Sequence, residues 1–282
     1  MSTRVKRTVT GEPKKSVSTA SRTMYKPKTT YKTKKEIKQA VYEELSKQLE
    51  LKNSIVGYSN VAIQRSIPSG VVFNGAGNFF RLMPQIQQST TGAAGNAYNE
   101  RIGNSISLKE LDIHGYLSYI SPAVQSTSTN DQKLAVRVMI LRAKDINDAG
   151  VLFDNMPTGA LLRFDGGTTT YNGNALDSFR DINRDLFTVR YDQVHYLNAP
   201  VLLPGTGGGE DLVSVPSGLK IFRTKMRFGR GLKLNFTNSG DTLANNFPYF
   251  MVIGYSSMSG TGQPTNSLVR CTVDISGKYT DA

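Results

Sequence analysis

The chain has 282 residues, with 34 Lys and Arg against 22 Asp and Glu, one Cys and two His. One Cys excludes an internal disulfide and a multi-cysteine zinc site, and two His put most His-based metal centres out of reach. The formal charge of +12 points to a polyanionic partner, and its placement is uneven: residues 1–35 hold eleven basic residues against the single acid Glu12, while the rest holds 23 against 21.

The basic residues of the first segment are Arg4, Lys6, Arg7, Lys14, Lys15, Arg22, Lys26, Lys28, Lys32, Lys34 and Lys35. Ser, Thr and Pro fill the gaps between them. Such a composition cannot bury enough apolar surface to offset chain entropy, so residues 1–35 are expected to form a disordered arm. Cations on a flexible chain neutralise phosphates without a defined geometry. Tyr25 and Tyr31 are interleaved where they could stack on unpaired bases. Lysines outnumber arginines and are spread out, which suits gripping charge rather than reading sequence. Lys26–Lys35 also fits a nuclear import signal. The rival readings are a solubilising extension or an arm for an acidic membrane or protein surface. Against a membrane, the arm is not amphipathic and no apolar anchor precedes it. No window is apolar for long enough to span a bilayer, and the first residues lack the apolar segment of a secretory signal, so no membrane insertion is expected.

Residues 34–52 carry a helical pattern, with Ile37, Val41, Leu45 and Leu49 recurring every four positions. Glu43 and Glu44 precede Lys47 at pair spacing. The expectation is an amphipathic helix or linker over 36–52, either lying on the body's own core or joining arm to body, packed against copies of itself.

From residue 53 to 282 the pattern is that of strands divided by Gly, Asn, Ser and Pro. Ser54–Ile67, Val71–Leu82 and Ser105–Ile120 come first. In Lys133–Leu141, Leu134, Val136, Val138 and Ile140 face one way. Leu161–Phe164 follows. In Leu186–Tyr196, Phe187, Val189 and Tyr191 are expected to share a face opposite Arg190 and Asp192. Lys220–Phe236 comes next, and Tyr249–Tyr255 is apolar on both faces, as in a central strand. In Leu268–Ile275, Val269, Cys271, Val273 and Ile275 face in while Arg270, Thr272 and Asp274 face out. Long loops are expected at 84–100, 121–131, 165–185, 198–218 and 256–266. With no internal repeat, the expectation is an all-β fold: one jelly-roll β-sandwich with a basic arm and a short helix before it.

Within Lys220–Phe236 the polar phase is cationic. Arg223, Lys225 and Arg227 alternate with Phe222, Met226 and Phe228. After Gly229-Arg230-Gly231, Leu232, Leu234 and Phe236 resume the apolar phase and Lys233 the polar one. This row is read either as a phosphate-contacting surface or as a face whose charges meet acids such as Asp185 or Asp192.

Catalytic signatures do not emerge. Cys271 lies on the apolar face of its strand, and His114 and His195 read as structural residues on a polar face. There is no G-x-S-x-G elbow, nor paired carboxylates at a recognisable spacing. Gly207–Gly209 lacks the G-K-[ST] ending of a phosphate loop. Asp145–Gly150 resembles a calcium loop, but Ala149 takes a ligand position and no Glu closes it; a lone Ca²⁺ at a subunit contact stays open. Asn235-Phe-Thr237 is a sequon inside a strand pattern. No enzyme activity, cofactor or metal is expected.

Arg101-Ile-Gly-Asn-Ser-Ile106 with Leu108–Tyr119, and Leu186–His195 with its F-x-V-x-Y-D pattern, look like the core strands of coat proteins from small circular single-stranded DNA viruses, the circovirus-like and geminivirus-like capsids. The resemblance runs on through Lys220–Phe236 and Tyr249–Tyr255, over roughly residues 100–280. It departs in an arm less arginine-dense than that of circoviruses and in lacking the Cys and His cluster of some geminivirus coats, so a small RNA-virus coat stays a rival. The resemblance implies an icosahedral shell of identical subunits whose arms touch a single-stranded genome, DNA first, and whose long loops form outer surface and symmetry contacts. It places the protein in the virion and, during assembly, in the host nucleus. The competing functions are a nucleic-acid-binding accessory protein, such as a movement or silencing factor, and a β-sandwich enzyme or lectin with an incidental basic leader.

Overall fold

The computed structural model describes residues 34–41, 44, 51–67, 77–89, 100–120, 128–147, 157–204, 210–213 and 218–281. The chain divides into two units, 1–49 and 50–282. In the first, residues 34–41 and 44 are helical. Lys34 and Lys35, read from sequence as the end of the arm, belong to this helix. Of the apolar stripe, Ile37 and Val41 are exposed on it, while Leu45, Leu49 and the arm up to residue 33 lie outside the described residues. The helical pattern does not extend to Lys52, which opens the first strand with its ammonium 2.7 Å from Asp281.

The second unit is built of strands. In chain order they are β1 (Lys52–Ile63), β2 (Phe79–Arg81), β3 (Gln87–Gln88), β4 (Glu100–Arg101), β5 (Ser105–Tyr119), β6 (Lys133–Ala143) and β7 (Leu162–Phe164). They continue with β8 (Gly167–Thr169), β9 (Phe187–Asn198), β10 (Val201–Pro204), β11 (Glu210–Val213), β12 (Leu219–Asn235), β13 (Tyr249–Ser257) and β14 (Val269–Asp281). Two four-stranded antiparallel sheets hold the long strands, one ordered β1-β14-β5-β12 and the other β2-β13-β6-β9. β7–β8 and β10–β11 are antiparallel pairs, and β3–β4 is a short parallel one.

The sheets face each other across one apolar core. Ile106, Leu108, Leu111, Ile113 and Leu117 of β5 and Val269, Cys271, Val273 and Ile275 of β14 meet Leu134, Val136, Val138 and Ile140 of β6 and Met251, Ile253 and Tyr255 of β13. The period-two alternation of β14 produces this arrangement directly, since every second side chain leaves water, whereas β5 changes phase at Lys109, between Leu108 and Leu111. Burial in the core pushes the Cys271 thiol up to about 12, so it acts as a small apolar side chain.

The second sheet is buried on both faces. Met139, Leu141, Phe250 and Val252 point away from the first sheet into a second cluster completed by Ile67, Leu161, Leu162, Tyr171 and Ile182. This explains why β6 and β13 are apolar in both phases. The covering segment is pinned by polar bonds. Arg137 of β6, almost fully buried, donates from Nε and Nη2 to both carboxylate oxygens of Asp192 at 2.7 Å. Its Nη1 reaches the carbonyls of Asp177 and Arg180 at 2.8 and 2.7 Å. Buried Asp177 accepts from the backbone N–H groups of Asn172 and Asn174. The Tyr171 ring packs closely against β13 because Gly254 has no side chain; a Cβ there would sit 2.8 Å from the ring.

Several readings of the sequence need correction, among them the loop expected over 198–218, which carries the β10–β11 pair. A bulge between Ile140 and Leu141 of β6 leaves Arg190 of β9 without an opposite residue. The side-chain phase of β9 therefore flips at Arg190. Phe187 and Val189 pack in the second cluster, but Tyr191 packs against the core between the sheets. His195, expected on a polar face, shares that inward phase, its ring centroid 6.0 Å from Phe222. Burial, with Lys220 nearby, lowers its pKa. The segment 165–185, expected as one loop, begins with a hairpin: Phe164 pairs with Gly167 around Asp165-Gly166, both at positive φ, 32° and 77°. An Asp-Gly pair at those two positions is the chemistry a two-residue hairpin turn requires.

Candidate nucleic-acid interface

β12 forms one edge of the first sheet and pairs with β5 along nearly its whole length. Phe222 and Met226 enter the core, so the alternate positions face out. In register, Arg223 stands opposite His114, Lys225 opposite Asp112 and Arg227 opposite Glu110. The structure thus brings the three predicted cations together, with acids between them. Arg223 Nη2 lies 2.8 Å from Asp112. Lys225 lies 3.1 Å from Glu110 and 3.3 Å from Asp112. Arg227 and, from β14, Lys278 approach Glu110 at 3.4 and 3.3 Å. His114 Nε2 is 3.0 Å from Asp112.

This ladder tunes its acids. The Arg223 guanidinium beside Asp112, assisted by His114 and Lys225, holds that carboxyl well below the usual range. Hydrogen bonding from Lys225 and then Lys278 lowers Glu110 against the opposing effect of burial. Four cations share two carboxylates, so the ladder keeps an excess of positive charge while its individual cations are engaged. The acids are not the Asp185 and Asp192 suggested by the sequence: Asp185 pairs with Arg163 and Asp192 with Arg137. Glu110 and Asp112 were legible as the outward phase of Leu108–Tyr119; what the sequence does not carry is that β5 and β12 are neighbours.

Beyond Arg227 the register shifts, and the four residues from Phe228 to Gly231 face Lys109 alone. Gly229 and Gly231 take φ of 47° and 103°, which lets the chain bend out around three extra residues, and because β5 also changes phase at Lys109, Leu232 and Leu234 resume on the same side as Phe222 and Met226. Lys109 donates to the Arg230 carbonyl at 3.0 Å. Lys109, Arg230 and Lys233 have no carboxylate at ion-pair distance among the described residues, so this end of the face is the more freely cationic. The opposite end is apolar: Ile221 is 77% exposed and stands across from Tyr116, with Leu219 beside it. A second exposed apolar group, Phe164, Leu176 and Phe179, lies on the segment covering the other sheet.

Of the arm's predicted contacts, Arg4, Lys6, Arg7, Lys14, Lys15, Arg22, Lys26, Lys28 and Lys32 lie outside the described residues. Among the described residues no group of three or more His, Cys, Asp or Glu could hold a metal ion, and no helix is long and apolar enough to cross a membrane. Compared with known proteins, the sequence matches no family model and no curated relative.

Proposed function

We propose that this protein is the subunit of an icosahedral viral shell that packages a single-stranded genome through its N-terminal arm. The carrying observation is the separation of charge: eleven cations against one acid in the first 35 residues, followed by a body of near balance. An arm of that composition suits condensing phosphate, and a balanced body suits tiling with its own copies without self-repulsion.

The strand order supports the reading. Counted as eight, the strands of the two four-stranded sheets, β1, β2, β5, β6, β9, β12, β13 and β14, give orders 1-8-3-6 and 2-7-4-5. Pairs 1–8, 2–7, 3–6 and 4–5 are all hydrogen-bonded and antiparallel, the pattern of one long hairpin rolled on itself. That order supports the jelly-roll reading, an architecture viral shells share with lectins and cupins. The exposed apolar groups around Ile221 and around Leu176 suit contacts between subunits. The ladder face, with its net positive charge, suits the side turned to the genome.

The test replaces the nine arm cations from Arg4 to Lys32 by Gln. At about 0.7 in salt slope per phosphate contact on a single strand, full engagement corresponds to a fall of about 6 in the slope of log affinity against log salt. The neutralised protein should form empty particles or none, and purify without nucleic acid. Normal packaging by that variant would refute the role of the arm, and a small stable species carrying nucleic acid would indicate an accessory protein.

A further inference from the structure

β9 has β6 on one side and, among the described residues, no strand on the other. A groove of ≈ 360 Å³ lies against the first half of β9, lined by Phe187–Asp192 together with Lys144 and Arg184. Lys144 is tied to the segment leading into β9: its backbone N–H donates to the Leu186 carbonyl at 2.8 Å and its ammonium to the Arg184 carbonyl. Three cations, Lys144, Arg184 and Arg190, thus converge on one concavity. The carboxylates nearby are spoken for. Asp192 gives both oxygens to Arg137, and Asp185 is paired with Arg163 at 2.7 Å, while Asp145 does not line the groove. Arg190 spends Nε and Nη2 on the Tyr249 hydroxyl, a neutral acceptor, and has no ion pair with a carboxylate among the described residues. The ladder on β12 differs in this respect, because there each cation meets Glu110 or Asp112.

We infer that this groove is a phosphate-binding site of the body, taking backbone phosphates of single-stranded nucleic acid against the first half of β9. The inference rests on the nucleic-acid reading above and adds a built contact to the diffuse one made by the arm. Cations anchored in a concave site on the folded body lose little freedom on binding, so the groove fixes where a nucleic-acid strand crosses the subunit.

The test uses the full chain and oligothymidylate of about ten nucleotides, within the site sizes typical of single-strand binders. Lys144→Gln with Arg184→Gln removes two charges and spares Arg190, which also holds Tyr249. Binding measured between 50 and 200 mM salt should lose about 1.4 in slope, at roughly 0.7 per phosphate contact. Thr188→Glu, which sets a carboxylate in the groove, should weaken binding at low salt. Melting temperature checks that both variants fold. Unchanged affinity and slope in both variants, with the parent binding normally, overturn the groove alone. A parent that binds no oligothymidylate overturns the underlying reading as well. Loss of poly-glutamate binding with oligothymidylate binding intact would assign the groove to an acidic peptide and overturn the proposal.

Discussion

Removing the acids of the ladder should strengthen nucleic-acid binding. In Glu110→Gln with Asp112→Asn, Arg223, Lys225, Arg227 and Lys278 keep their places on β12 and β14 but lose the carboxylates at 2.8–3.4 Å that engage them. The charge of this group of six rises from +2 to +4. If the face meets the genome, two further phosphates can be neutralised, and the slope of log affinity against log salt steepens by about 1.4. Over a fourfold change in salt, the variant's affinity should fall roughly sevenfold more than the parent's. Fluorescence anisotropy of labelled oligothymidylate from 50 to 200 mM salt reads this directly. An unchanged slope in a folded variant would show that the face does not touch the strand, and the ladder would then be a solvated face whose charges only satisfy one another.

Three further outcomes follow from the packing. Arg137→Met removes a buried guanidinium from Asp192 and from two carbonyls of the covering segment; a loss of about 3 kcal/mol, read from urea unfolding, is expected, and a loss below the error of the measurement would show that the segment is held by its apolar cluster alone. Gly254→Ala drives a methyl into the Tyr171 ring and should cost about 1–3 kcal/mol, with Tyr171→Ala in the same chain relieving part of that cost; equal stability of Gly254→Ala and the parent would contradict the contact. Acidification should weaken the first sheet: the Asp112 and Glu110 carboxyls are lowered in the folded state, so their contribution is complete above the unfolded carboxylate range near pH 4 and is lost as pH falls below it. The urea midpoint of the parent should drop between pH 5 and pH 3 by more than that of Glu110→Gln with Asp112→Asn, and parallel drops would remove the ladder from the acid response.

Much of the fold was legible wherever burial is one-sided. Val269, Cys271, Val273 and Ile275 all face the core as their alternation requires, with Arg270, Thr272 and Asp274 turned the other way. Tyr249–Tyr255, apolar in both phases, is a strand buried on both faces. What failed was non-local. The flip of Tyr191 comes from an unmatched residue, Arg190, and a bulge shows only once the partner strand is known. The partners of Arg223, Lys225 and Arg227 come from β5, more than a hundred residues earlier, and nothing in either segment names the other. The β7–β8 hairpin is a different case, since Asp165-Gly166 carried a local turn signal that the surrounding polar residues obscured. The β9 groove had no signature at all: Lys144 and Arg184 are forty positions apart and meet because β6 and β9 are paired.

The most direct measurement is electron microscopy and sedimentation of the purified full-length chain, with its absorbance ratio at 260 and 280 nm taken on the same material. The account predicts closed particles in the megadalton range with nucleic acid inside, released or emptied as salt rises. A single 30.9 kDa subunit in every buffer, free of polynucleotide, would contradict it.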